Sequence, residues 1–108
     1  MTRVVALVGD LMDQSHVRGS IDGLEIIRSA ADASGADIVI VDVARHAGSI
    51  AEIRRAVPGA LLVAYGRHDD PAALAAARAA GADRVFARSR FFKDPAAAIA
   101  PEAASPDQ

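Results

Sequence analysis

Asp42 closes the apolar run in the stretch DIVIVDVARHAG and is followed within four residues by Arg45 and His46. A carboxylate in that place either does chemistry at the end of a strand or caps the loop that follows, and both readings stand on the sequence alone. Asp10 poses the same choice after the run VVALVG: a functional acid, or the N-cap of a first helix. His46, and His68 beside Asp69, are side chains of the kind that bind a metal or carry a proton, set against a reading as exposed loop histidines lacking a third ligand. Gly66-Arg67-His68, taken with Arg88 and Arg90, suits either an anion pocket for a phosphate-bearing ligand or a solvated rim. No Gly-rich phosphate loop and no nucleophile-elbow sequence occurs, and no complete nucleophile, base and oxyanion set can be assembled. The expectation is a protein that is not an enzyme.

The elements that must position these groups follow from periodicity. Residues 4–8, 38–43 and 60–64 are short apolar runs rich in Val, Leu and Ile, and 84–87 is a further short strand. Uninterrupted runs of this length suit parallel strands covered on both faces. Ser49 with Glu52 forms a capping box ahead of Ile50, Ile53 and Val57, and Pro58-Gly59 stops that helix. Asp70-Pro71 starts a helix that Gly81 ends, and Asp94-Pro95 starts a last one that runs out near Pro101. Residues 11–36 allow two readings. One is a single helix over 20–33. The other, preferred because Gly23 suits a turn better than a helix interior, has a helix over 12–21, a strand over 24–28 and a brief helix ending at Gly35. It gives five strands alternating with five helices, hence a three-layer α/β/α sandwich around a parallel sheet.

The chain has 108 residues, expected as a single domain over 1–100 with a flexible tail over 101–108. Hydrophobic residues make up 52% but aromatics only 4%, so the core must be small side chains packed between close layers. A net charge of −2 argues against a nucleic-acid partner. The absence of cysteine excludes disulfides and thiolate chemistry. No apolar run approaches the roughly 20 residues of a membrane span, and no export signal precedes the first strand, so a cytoplasmic protein with no membrane partner is expected.

Ligands of open parallel sheets bind beyond the carboxyl ends of the strands. There the sequence places Gly9-Asp10, Asp42 to His46, Tyr65 to Asp69, and Arg88-Ser89-Arg90, whereas the opposite edge offers mostly Ala, Gly and Asp turns.

The register VALVGD, DIVIVDV, LLVAYG, a helix and GADRVFARS resembles a response-regulator receiver domain over about residues 3–100. The resemblance implies a flavodoxin-like sheet of order 2-1-3-4-5 and a signalling module acting through protein contact. It makes Asp42 the phosphoacceptor, with Asp10 and Asp42 as metal ligands for Mg²⁺, and puts Tyr65 and Arg88 on the phosphoryl group. Gly9 stands where a second acid is usual, Tyr65 where a small hydroxyl residue is, and Arg88 where Lys is. Arg88 is accordingly also read as pairing with Asp42 or Asp10 in place of a metal. The implied partner is a kinase, an output protein or a second copy of the chain. Its surface lies on the fourth helix, fifth strand and fifth helix, where Leu74, Phe86 and Phe91 are the apolar candidates. The alternative is a small α/β domain that binds a phosphate-bearing small molecule or nucleotide on a rim of Arg45, Arg67, Arg88 and Arg90.

Overall fold

A computed structural model describes residues 2–101. The tail expected over 101–108 lies outside the described residues apart from Pro101. Five parallel strands, β1 (Val4–Leu7), β2 (Glu25–Ile27), β3 (Ile38–Asp42), β4 (Leu61–Gly66) and β5 (Arg84–Ala87), form one sheet in the order β2-β1-β3-β4-β5. This is the flavodoxin-like order expected.

Burial explains why the strand sequences do not alternate between apolar and polar. Side chains point to opposite faces at successive residues, and both faces are covered here. Val5, Leu7, Val39, Val41, Leu62 and Ala64 pack under one helical layer, with Ile50, Ile53 and Ala77. Val4, Ala6, Ile40, Val63, Tyr65 and Phe86 pack under the other, with Val17, Phe91 and Ile99.

The ambiguity over 11–36 resolves as a helix, α1 (Leu11–Ser20), and a strand, β2. Gly23 has φ 76°, a left-handed conformation that a single long helix could not contain. The crossover after β2 is only a 3₁₀ turn, Ala30–Ala33, with Ala30 and Ala33 buried against the sheet.

The capping box at Ser49 does not form. Ser49 is itself in the right-handed helical region and makes no side-chain cap bond, because helical winding already began at α2 (Val43–His46) and continued through Ala47–Ser49 into α3 (Ile50–Ala56). Arg45 and His46 therefore sit on a short helix, not on a loop. Asp70 caps α4 (Pro71–Ala80) by accepting from the Ala73 amide at 3.2 Å, and Gly81 ends it. The chain leaves β5 directly into α5 (Arg88–Lys93), and Asp94 caps a second short helix, α6 (Pro95–Ala98), shorter than the sequence suggested. Among the described residues the alternation thus carries six α-helical segments and two 3₁₀ turns in place of five helices.

The amino edge of the sheet is tied by structural pairs. Asp37 accepts from the Arg3 amide at 2.7 Å, and Asp83 takes both the Leu62 amide and the Arg54 guanidinium. No helix among the described residues is long and apolar enough to cross a membrane.

Candidate functional site

At the carboxyl edge, β1 leads through Gly9 to Asp10, whose Oδ1 accepts from the amides of Met12 (2.8 Å) and Asp13 (3.1 Å). Asp10 is thus the N-cap of α1. In the first turn of that helix, Asp13 shares the inward stripe with Val17 and, at the C-cap, Ile21, at four-residue spacing, and only 2% of it is exposed.

Asp13 is the centre of the site. Arg88, the first residue of α5, donates from Nη1 and Nη2 to both its carboxylate oxygens. Tyr65, at the end of β4, donates its hydroxyl to Asp13 Oδ2 at 3.0 Å. The Tyr65 ring lies parallel to Phe91 at 4.8 Å and meets the edge of Phe92 at 4.9 Å. The Arg88 guanidinium covers Phe92 at 4.8 Å, and His16 from α1 packs on the same ring. A large aromatic platform therefore carries a charge pair whose carboxylate is sealed and whose guanidinium is about half exposed.

The electrostatics follow from that arrangement. Burial works against the Asp13 carboxylate, but the hydrogen bonds from Arg88 and Tyr65 outweigh it and hold the group below its ordinary value. Burial pushes the Tyr65 phenol well above its ordinary range, and the negative charges of Asp42 and Asp13 add to this.

Asp42 stands at the end of β3 in register with Tyr65, and only 4% of it is exposed. Its Oδ1 accepts from the Ala44 amide at 3.0 Å and so caps α2. Burial and the nearby charge of Asp13 raise its carboxyl above the usual value. Neither cavity flanking this edge of the sheet has Asp42 in its lining.

The sequence therefore found Tyr65, Arg88 and Asp42 at one edge but assigned Arg88 the wrong acid. It pairs with Asp13, not with Asp42 or Asp10, and Asp13 was missed. The signal available was a carboxylate on the helical stripe that otherwise carries Val17 and Ile21.

The donors do not fit Mg²⁺. That ion requires oxygen ligands converging in near-octahedral geometry. Asp10 is turned into its own helix, Asp42 caps α2, and Asp13 is taken by a guanidinium. Gly9 offers no ligand, and a side chain there would meet Arg45 Cδ at 2.8 Å. Among the described residues, no group of three or more His, Asp or Glu is placed to hold a metal. The expected metal pair Asp10 and Asp42 is thereby corrected; of the two readings of His68 beside Asp69, the exposed loop histidine is the one the structure matches, with Asp69 held by Arg67 through bonds of 2.9 and 2.8 Å.

The expected anion rim divides. Arg67, His68 and Arg88 line one cavity of about 450 Å³, but both arginines are already paired with aspartates. Arg90 lies on the other side of α5, beside Leu74 and Val85. The apolar partner surface is also corrected: Phe91 is fully buried and Phe86 nearly so, because both rings are needed to fill the layer under α5. Leu74 is half-buried at a groove between α4 and β5.

No family model matches the chain, and no curated protein matches it. Among solved structures, it is similar to a response regulator receiver domain protein from Clostridium thermocellum, with 17% identity and a TM-score of 0.71 over 92% of this chain and 91% of that one. A response regulator from Thermotoga maritima is 19% identical with a TM-score of 0.67, over 92% and 98% of the two chains. The isolated REC domain of RcsB from Salmonella enterica serovar Typhimurium is 16% identical with a TM-score of 0.68, over 90% and 84%. The fold is that of receiver domains.

Proposed function

We propose that this receiver-like domain is a non-enzymatic signalling module that works through protein contact and does not depend on phosphorylation of Asp42. The observation that carries the reading is the Arg88–Asp13 pair. A half-exposed guanidinium at the start of α5 is matched to a buried carboxylate of α1, which no metal then has to neutralise. Asp42 keeps its position in the fold but serves as a capped, buried strand end. Tyr65, hydrogen-bonded and stacked, acts as a fixed wedge, whereas a small hydroxyl side chain would be free to move.

The contact surface in this reading is the groove of α4 and β5, lined by Pro71, Leu74, Ala75, Val85 and Ala87, with Arg78 and Arg90 at its edges. The partner is a second protein or a second copy of the chain.

The test is an amide NMR titration with Mg²⁺ and beryllium fluoride, a phosphoryl mimic. The amides of Asp42, Tyr65 and Arg88 are expected to stay where they are. Saturable shifts centred on Asp42 that vanish in Asp42→Asn overturn the reading. For the surface, a photo-crosslinker at position 75 in cells should give a discrete protein adduct that Leu74→Glu abolishes. Adducts formed equally well from Ser15 on α1 would count against that face.

A further inference from the structure

The arginines of this chain fall into two groups. Arg3, Arg54, Arg67, Arg84 and Arg88 are all committed to carboxylates or backbone carbonyls. Arg18, Arg28, Arg45, Arg55 and Arg90 have no hydrogen-bonded or ion-paired partner among the described residues, and all five are exposed. Three of them, Arg18, Arg28 and Arg45, are gathered at one place. Arg18 and Arg28 line one cavity of about 380 Å³ together with Gly9, Gln14 and His46, and no carboxylate contributes to its lining. Arg45 does not line the cavity itself, but its side chain lies against Gly9, where a Cβ would approach the Arg45 Cδ to 2.8 Å.

We infer that this cleft, between α1 and the carboxyl ends of β1 and β2, is a binding site for a phosphate group, free or carried on a small molecule. Three features of the chain converge on it. Gln14 and Arg18 are four residues apart, so they face the cleft from successive turns of α1, and Gln14 is held there by its bond to the Val8 carbonyl at 2.7 Å. Arg28 arrives directly after β2, and His46 and Arg45 close α2 just after β3. Gly9, having no side chain, leaves the β1 loop open to the guanidinium above it and brings no negative charge.

The cleft lies at the carboxyl edge of the sheet, where open parallel sheets bind their ligands, on the β2 side of the point between β1 and β3 at which the strand order reverses. Guanidinium forks match the paired oxygens of a phosphate, and several unneutralised cations around one polar cleft favour a dianion over a single carboxylate. The volume falls within the range of small-molecule sites. The cleft shares no arginine with the Asp13–Arg88 pair.

The experiment is an amide and arginine side-chain NMR titration of the full chain with inorganic phosphate and, separately, with adenosine monophosphate, at ionic strength matched with chloride. Saturable shifts are expected at Gly9, Gln14, Arg28 and His46. Arg18→Gln and Arg28→Gln should each weaken binding by about tenfold, one charge-assisted contact's worth. Arg55→Gln removes an exposed arginine on α3 and should leave the affinity unchanged. Tighter binding of the nucleotide identifies a phosphorylated small molecule, and equal binding identifies free phosphate. Non-saturable shifts, shifts centred on Arg67 and Ser89, or an equal loss in Arg55→Gln overturn the proposal.

Discussion

Arg88 opens α5 with its guanidinium laid across the end of the sheet onto Asp13, which lies 75 residues earlier in the chain in the first turn of α1. The pair joins the two helices that flank Tyr65 on one face of the sheet. It also completes the hydrogen bonding of the most buried charge at this edge.

Removing the cation leaves Asp13 buried and unpaired. Arg88→Met should destabilise the domain by about 3 kcal/mol, toward the low end for a broken buried pair because the guanidinium is half exposed. Asp13→Asn, which keeps an acceptor for Tyr65, should cost about 2 kcal/mol. The double variant should cost clearly less than the sum, since each change removes the same interaction. Urea denaturation of the four proteins in the cycle measures this, and strict additivity would refute the coupling.

The acid dependence separates Asp13 from Asp42. The folded value of Asp13 is depressed, so its contribution is present above the ordinary carboxyl value of 3.8 and is lost as the pH falls through the depressed value. Asp42 is raised, so its charged form carries a penalty at neutral pH that disappears as it is protonated. Asp42→Asn, retaining the oxygen that caps α2, should therefore be neutral or up to about 1 kcal/mol stabilising at neutral pH. That difference should vanish below about pH 4. Denaturation midpoints across this range check it, and a large loss of stability at neutral pH would speak against the assignment.

Tyr65 is the only tyrosine in the chain, so phenolate absorbance reports on it alone. Burial and the adjacent carboxylates raise its pKa, which means stability is present below the unfolded value of about 10 and declines as the pH rises beyond it. Ionisation should appear together with loss of the circular dichroism of the fold. A phenolate forming in the folded domain near pH 10 would show that the ring is not sealed.

Phe91 and Leu74 should behave in opposite ways. Phe91→Ala opens a cavity beside Tyr65 in a fully packed layer and should cost about 3–5 kcal/mol. Leu74→Glu, at a half-buried position on α4, should leave the domain folded and affect only what docks there. Thermal melts distinguish the two, and a Phe91→Ala protein as stable as the parent would return that ring to the surface.

How much of this was legible depended on how far along the chain each feature's cause lies. The strands around Ile40 and Val63 were readable, because an apolar run covered on both faces needs no information from elsewhere. The Asp70-Pro71 start of α4 and the Gly81 stop were readable for the same reason, since cap and breaker act on amides within four residues. Ser49 misled because the same short-range rule assumes the chain enters the helix extended, and here α2 had already wound it.

Which charges meet depends on residues far apart in the chain, and it became visible in the folded molecule alone. Arg88 was correctly expected to find an acid at the carboxyl edge, but three aspartates, Asp10, Asp13 and Asp42, end close to it. Asp10 and Asp42 turn to nearby backbone amides, leaving Asp13 for Arg88. A guanidinium pairs over a few ångströms, and that separation is fixed by the order of the strands and the tilt of α1 against α5. The apolar runs and helix stops, read locally, were enough to place the sheet and the edge at which the polar groups converge, though not every helix. The identity of the pair, and with it the commitment of Asp13 to a guanidinium, came from the packing of residues far apart in the chain.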